Sequence, residues 1–185
     1  PNWLPLRQDL QPLSPYGAPQ VPAQATLNTN ENPYPPSPAL AQAISDRIHS
    51  VATNLNRYPD RDAVTLRGAL AKFINSLSGT SFGAQEIWAA NGSNEIIQSL
   101  FMAFGERPAL GFTPSYSMHP LIAKVIGTKW NDGGRRADFS LDLAKAISDI
   151  AKVKPGLTFI TTPNNPTGTT VTLAEIEDLA IATGK

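Results

Sequence analysis

The sequence predicts an α/β protein with a mostly parallel sheet covered by helices. Three observations predict it. Short apolar runs at 87–90, 109–112 and 157–160 alternate with helical patterns. Each run empties into a polar turn: Asn91-Gly-Ser-Asn-Glu95, Thr113-Pro-Ser-Tyr-Ser117 and Thr161-Thr-Pro-Asn-Asn-Pro-Thr-Gly168. The last turn is followed by Thr172-Leu-Ala-Glu175, a capping box that opens another helix. In open α/β sheets ligands bind at the carboxyl ends of strands, so these exits are the candidate site.

The elements follow in order. Residues 1–36 carry nine of the seventeen prolines, which rules out a long helix or a central strand and predicts an extended arm. Ser37-Pro38 is a helix start, with Leu40, Ile44, Ile48, Val51 and Leu55 on one face. Arg57-Tyr-Pro-Asp60 breaks that helix. A second starts near Asp62, turns Leu66, Leu70, Phe73, Ile74 and Leu77 inward, and stops at Gly79. Both stripes are expected in the core. Ile87-Trp-Ala-Ala90 reads as a strand, followed by a glycine turn and a helix that ends at Gly105. A glycine turn before a helix leaves backbone N–H groups free for an anion, with the Ser93 hydroxyl beside them. Many α/β proteins turn this way without binding phosphate.

Ala109–Phe112 is the next strand and places Tyr116 at its exit, where the ring either stacks on a flat ligand or packs. Residues 116–126 read as helix, and a weak strand follows near Trp130. Asp132-Gly-Gly-Arg-Arg136 reads as a turn with solvated charges. Ser140 caps a helix with Leu143, Ile147 and Ile150 inward, and the 157–160 run is a buried strand. The Asn-Pro-Thr-Gly stretch after it fits a ligand loop and a plain turn equally well.

Composition narrows the function classes. Fifteen basic and fifteen acidic residues cancel, leaving no electrostatic footprint for nucleic acid or an anionic membrane. No apolar run approaches the roughly 20 residues of a membrane span, and the proline-broken start carries no signal-peptide pattern. With no cysteine, disulfides and thiol catalysis are excluded, as is metal ligation by sulfur. His49 and His119 lie far apart and read as surface or core residues, so no metal site is expected. The missing initiator Met is read as a trimmed start.

Leu13-Ser-Pro-Tyr-Gly17, Leu27-Asn-Thr-Asn-Glu-Asn-Pro33, Arg57-Tyr-Pro-Asp60, Ala90-Asn-Gly-Ser-Asn-Glu-Ile96, Phe112-Thr-Pro-Ser-Tyr-Ser-Met-His-Pro120 and Thr162-Pro-Asn-Asn-Pro-Thr-Gly168 together resemble the pyridoxal-phosphate aminotransferases of fold type I. More narrowly they resemble the histidinol-phosphate aminotransferase branch in its actinobacterial form. The Asn-Glu-Asn-Pro arm and the Tyr-Pro-Asp element do the narrowing, since Asn-Pro-Thr-Gly marks only the superfamily.

The resemblance implies an extended arm over 1–36 and, over 37–185, part of the large three-layer α/β/α cofactor-binding domain. It implies pyridoxal 5'-phosphate as cofactor. Gly92, Ser93 and Asn94 would hold its phosphate, Tyr116 would stack on its ring, and Asn165 would donate to its phenolic oxygen. Tyr58 would cross to the cofactor phosphate of a neighbouring subunit, giving a homodimer with shared active sites; the absence of cysteine fits a cytoplasmic protein. Tyr16, Asn30 and Glu31 on the arm would close over the substrate. Asn94 stands where many relatives have Asp, which keeps the backbone donors and removes a negative charge. The implied reaction moves an amino group between L-histidinol phosphate and 2-oxoglutarate in histidine biosynthesis.

None of the seven lysines stands in the Ser-Lys-Ala-type context of the family's Schiff-base lysine, so the chain contains no catalytic residue by this reading. It resembles the N-terminal half of such an enzyme, expected to be inactive and unable to hold its native sheet alone. Two rivals stay open. One is a related cofactor enzyme acting on aromatic amino acids or phosphorylated amino acids. The other is a non-catalytic fragment that binds phosphate or a partner chain.

Overall fold

The computed structural model describes every residue except 1–4, 15, 16, 18, 20, 27 and 185. The chain forms two compact units, Pro1–Trp88 and Ala89–Lys185.

The first unit holds a short 3-10 helix at Gln8–Leu10, helices α1 (Pro38–Ala52) and α2 (Val64–Ser78), and a 3-10 turn at Ala84–Glu86. Ser37 caps α1 by accepting from the Leu40 N–H at 3.2 Å, with Pro38 in the first turn, where its missing N–H costs nothing. Asp60 caps α2 from outside, its carboxylate accepting from the Val64 N–H at 3.0 Å. Gly79 ends α2 in the left-handed conformation at φ 65°.

The expected apolar stripes do not become core. Leu40, Ile44, Ile48 and Leu55 are exposed, as are Leu66, Phe73 and Leu77, and only Ala71 of the two helices is buried. The residues have the expected spacing, but no element of this unit covers those faces.

The expected strand at 87–90 is also absent. Arg67 Nε donates to the Ile87 carbonyl at 2.7 Å, and the Ala90 carbonyl accepts from the Gly92 N–H at 2.8 Å. Those acceptors are occupied by a guanidinium and a tight turn in place of a neighbouring strand.

The second unit is a three-stranded parallel sheet, β1 (Ala109–Gly111), β2 (Trp130–Asp132) and β3 (Leu157–Thr158), in the order β2-β1-β3. Ala109 pairs with Trp130 on one side and with Leu157 on the other. Successive strand residues face opposite sides, so Ala109 and Leu110 enter two different cores. Ala109 packs with Ile97 and Phe101 of α3 (Ser93–Phe104) and with Ile122 and Ala123 of α4 (Met118–Ile126). Leu110 packs with Ala146 and Ile150 of α5 (Leu143–Val153) and Leu179 of α6 (Leu173–Thr183). The result is the expected α/β arrangement of a parallel sheet between two helix layers.

Thr172 and Glu175 form the expected capping box of α6. The cap of α5 is Asp142, which accepts from the Lys145 N–H at 3.0 Å, and not Ser140, whose hydroxyl donates to Asp138. The outer edge of β3 opens on a cleft of about 540 Å³ lined by Thr158, Ile160, Ile176 and Leu179.

Candidate active site

The three stretches expected at strand exits meet different fates, and the first follows no strand. Gly92 enters α3 at φ 79°, ψ 170°, a backbone region that is essentially glycine's alone. No side chain caps this helix, whereas α1, α5 and α6 all carry one. The N–H groups of its first turn are therefore left to a ligand or water, at the positive end of the helix dipole. Ser93 and Asn94 are exposed there, and Glu95 bends back to accept from the Asn91 N–H at 2.7 Å, which fixes the approach to the turn.

Tyr116 lies beside this turn. Its hydroxyl donates to Asn94 Oδ1 at 3.1 Å, and its ring meets His119 edge-on with centroids 5.3 Å apart. His119 in turn stacks on Phe159 at 4.6 Å and Trp130 at 6.3 Å. The imidazole is buried, and burial holds its pKa below the ordinary value. The expectation of a surface or core role for His119 resolves to core: it props Tyr116 from within the unit.

The Asn pair of the β3 exit divides sharply. Asn165 is exposed, and its side chain has no hydrogen bond to the described residues. Asn164 is 2% exposed and bonded at every turn, a role the sequence did not reveal because the two residues are chemically identical.

The Asp132–Arg136 turn is also more than a solvated loop. Asp132 accepts from the Thr113 hydroxyl, from the Thr113 N–H at 3.0 Å and from the Gly134 N–H at 2.9 Å. Burial alone would raise its carboxyl, but these donors, with Lys145 adding to them, hold it below the usual carboxylate range. Arg135 donates to the Phe112 carbonyl at 3.1 Å. Both side chains stiffen the β1 exit that leads to Tyr116.

Asn30, Glu31 and Tyr58 belong to the other unit and are exposed, Tyr58 completely. Tyr16 lies outside the described residues. Among the described residues no group of three or more His, Asp or Glu is placed to hold a metal, and no helix is long and apolar enough to cross a membrane.

The family described as aminotransferase class I and II matches residues 22–185. The chain belongs to the class I and II aminotransferase family. The histidinol-phosphate aminotransferase of Nocardia farcinica is 51% identical to this aminotransferase chain over 175 residues, covering 94% of this chain and 46% of that protein. The chain spans about half the length of the curated relatives it matches. Among solved structures, the histidinol-phosphate aminotransferase of Clostridium acetobutylicum aligns with a TM-score of 0.57 at 27% identity, over 76% of this chain and 40% of that one. A C–S lyase of Staphylococcus hominis, solved with pyridoxal phosphate bound, aligns with a TM-score of 0.66 over 80% of this chain and 38% of that one. Its 15% identity makes that a likeness of fold alone.

The cofactor of this aminotransferase family is pyridoxal 5'-phosphate, and the second unit fits it on its own geometry. The uncapped, glycine-entered helix offers a donor set suited to a phosphate. The exposed Asn165 amide, without a side-chain hydrogen bond to the described residues, and the half-buried Tyr116 ring have the chemistry of a polar donor and a flat apolar face.

Proposed function

We propose that these residues are the N-terminal half of a histidinol-phosphate aminotransferase of histidine biosynthesis, a homodimeric cytoplasmic enzyme that moves an amino group between L-histidinol phosphate and 2-oxoglutarate. One observation carries the reading: 51% identity to an enzyme of that name across 94% of the chain. Residues 1–36 are then the arm, and 37–185 part of the large domain.

Bound pyridoxal 5'-phosphate supplies the electron sink that weakens the substrate's Cα–H bond. The chain's own residues bind and orient it. The N–H groups of Gly92, Ser93 and Asn94, with the Ser93 hydroxyl, take the phosphate. Tyr116 covers one face of the ring, and the Asn165 amide donates to the phenolic oxygen. Tyr58, fully exposed, is free to reach the phosphate site of a second subunit. Tyr16, Asn30 and Glu31 select the substrate's imidazole and phosphate ends. The lysine and the acid that complete the chemistry come from sequence beyond these residues.

The test is a comparison of amino donors on the full-length protein, with 2-oxoglutarate as acceptor and absorbance above 400 nm recorded alongside. Efficient turnover of L-histidinol phosphate over phenylalanine supports the reading. A yellow protein that prefers phenylalanine keeps the cofactor and overturns the substrate. A colourless protein with neither activity overturns both.

A further inference from the structure

We propose that Asn164 is a positioning residue for cofactor binding: it locks the exits of β1 and β3 together and thereby sets Tyr116 and Asn165 relative to each other. The proposal rests on the reading of Tyr116 and Asn165 as cofactor contacts. It adds a residue that contacts no cofactor and acts through both.

The geometry is unusually complete for one side chain. Asn164 Nδ2 donates to the Pro114 carbonyl at 2.9 Å and to Thr167 Oγ1 at 2.8 Å. Its Oδ1 accepts from the Ser115 hydroxyl at 2.8 Å. Its backbone N–H donates to the Thr169 carbonyl at 2.8 Å, and its carbonyl accepts from the Gly168 N–H at 2.7 Å. Both amide protons are thus used, one toward each strand exit, and the oxygen is used toward the β1 exit. Ser115 also lies 3.2 Å from Thr161 Oγ1, a second tie between the same two exits.

The position of these bonds gives them their consequence. Ser115 is the covalent neighbour of Tyr116, and Asn164 is the covalent neighbour of Asn165. Asn165 has no side-chain bond of its own to the described residues, so its backbone aims it, and that backbone is held by the Asn164 network. An apolar side chain at 164 would leave the Pro114 carbonyl and the half-buried Ser115 and Thr167 hydroxyls without this partner and would break the tie between the two exits. Aspartate would keep the acceptor and lose both donors.

The experiment uses the full-length protein stripped of cofactor and measures its affinity for added pyridoxal 5'-phosphate, with a thermal melt by circular dichroism beside each titration. The variants are Asn164→Ala, Asn165→Ala, their combination, and the milder Ser115→Ala. Asn164→Ala is expected to weaken binding about 10- to 100-fold, the size that outer partners of ligating groups show. In the Asn165→Ala background the same change should cost clearly less than in the wild type, because one of the two residues through which it acts is gone and only the path through Tyr116 remains. Ser115→Ala should weaken binding several-fold with its melt retained.

A merely structural Asn164 would give factors that multiply in the double variant, and that result overturns the proposal. Wild-type affinity in both Asn164→Ala and Ser115→Ala overturns it as well. If Asn164→Ala fails to fold, the cycle of Ser115→Ala with Asn165→Ala decides by the same criterion. A wild-type protein that binds no pyridoxal 5'-phosphate defeats the functional reading itself, whereas binding by the wild type with multiplying factors defeats this proposal alone.

Discussion

Gly92→Ala isolates what the backbone alone contributes to the α3 N-terminus. At φ 79°, ψ 170°, Gly92 occupies a region that costs a residue with a Cβ about 1–3 kcal/mol. A Cβ built there meets nothing within 4 Å, so collision with neighbours adds nothing and the whole cost is intrinsic strain. The loss must surface in one of two ways. If the variant keeps the turn, unfolding free energy falls by about 1–3 kcal/mol. If the turn relaxes, the first-turn N–H groups move and pyridoxal 5'-phosphate affinity falls by up to the same energy, roughly 5- to 150-fold. Urea unfolding and cofactor titration of the full-length protein measure the two shares. Gly79→Ala is the control: it sits at φ 65°, ψ 22° with open space around it, and should cost about 1–2 kcal/mol of stability and no affinity. Wild-type stability together with wild-type affinity in Gly92→Ala would refute the reasoning.

The core and the aromatic stack give further expectations. Phe101, 1% exposed and stacked on Phe159 at 5.1 Å, should cost about 3–5 kcal/mol when cut to alanine, read by denaturant midpoint; a loss below about 1 kcal/mol would mean the site collapses freely. His119 is held neutral by burial, so its contribution to stability is fully present above the unfolded imidazole's value of 6.5 and is lost as pH falls from there through the lower folded value. His119→Phe should flatten stability against pH across that window, and an unchanged slope would show that another group titrates there. The isolated 185-residue polypeptide exposes Leu40, Ile44, Ile48, Phe73 and Leu77 on two helices and an open β3 edge. It should associate in sedimentation velocity and melt without a cooperative transition, and a monomer with a sharp melt would contradict this.

Local chemistry was legible in the sequence wherever a few adjacent residues settle the outcome. The caps at Ser37 and Thr172 and the glycine stop at Gly79 depend only on bonds within a turn of helix. The alternation of apolar runs with helical stripes announced the parallel sheet, and the glycine turn before α3 announced its open N-terminus. Asp142 displaced Ser140 as a cap because both are good acceptors two residues apart and only geometry chooses between them. The other outcomes turn on partners distant in the chain. Ile87–Ala90 has the composition of a strand, but a strand exists only where another strand lies beside it, and Arg67 takes the Ile87 carbonyl instead. Periodicity marks an apolar helix face but does not supply what covers it, so the stripes of α1 and α2 stay exposed. Asn164 and Asn165 are one residue type in adjacent positions. Only the meeting of two loops some fifty residues apart buries the first in a full set of hydrogen bonds and leaves the second free.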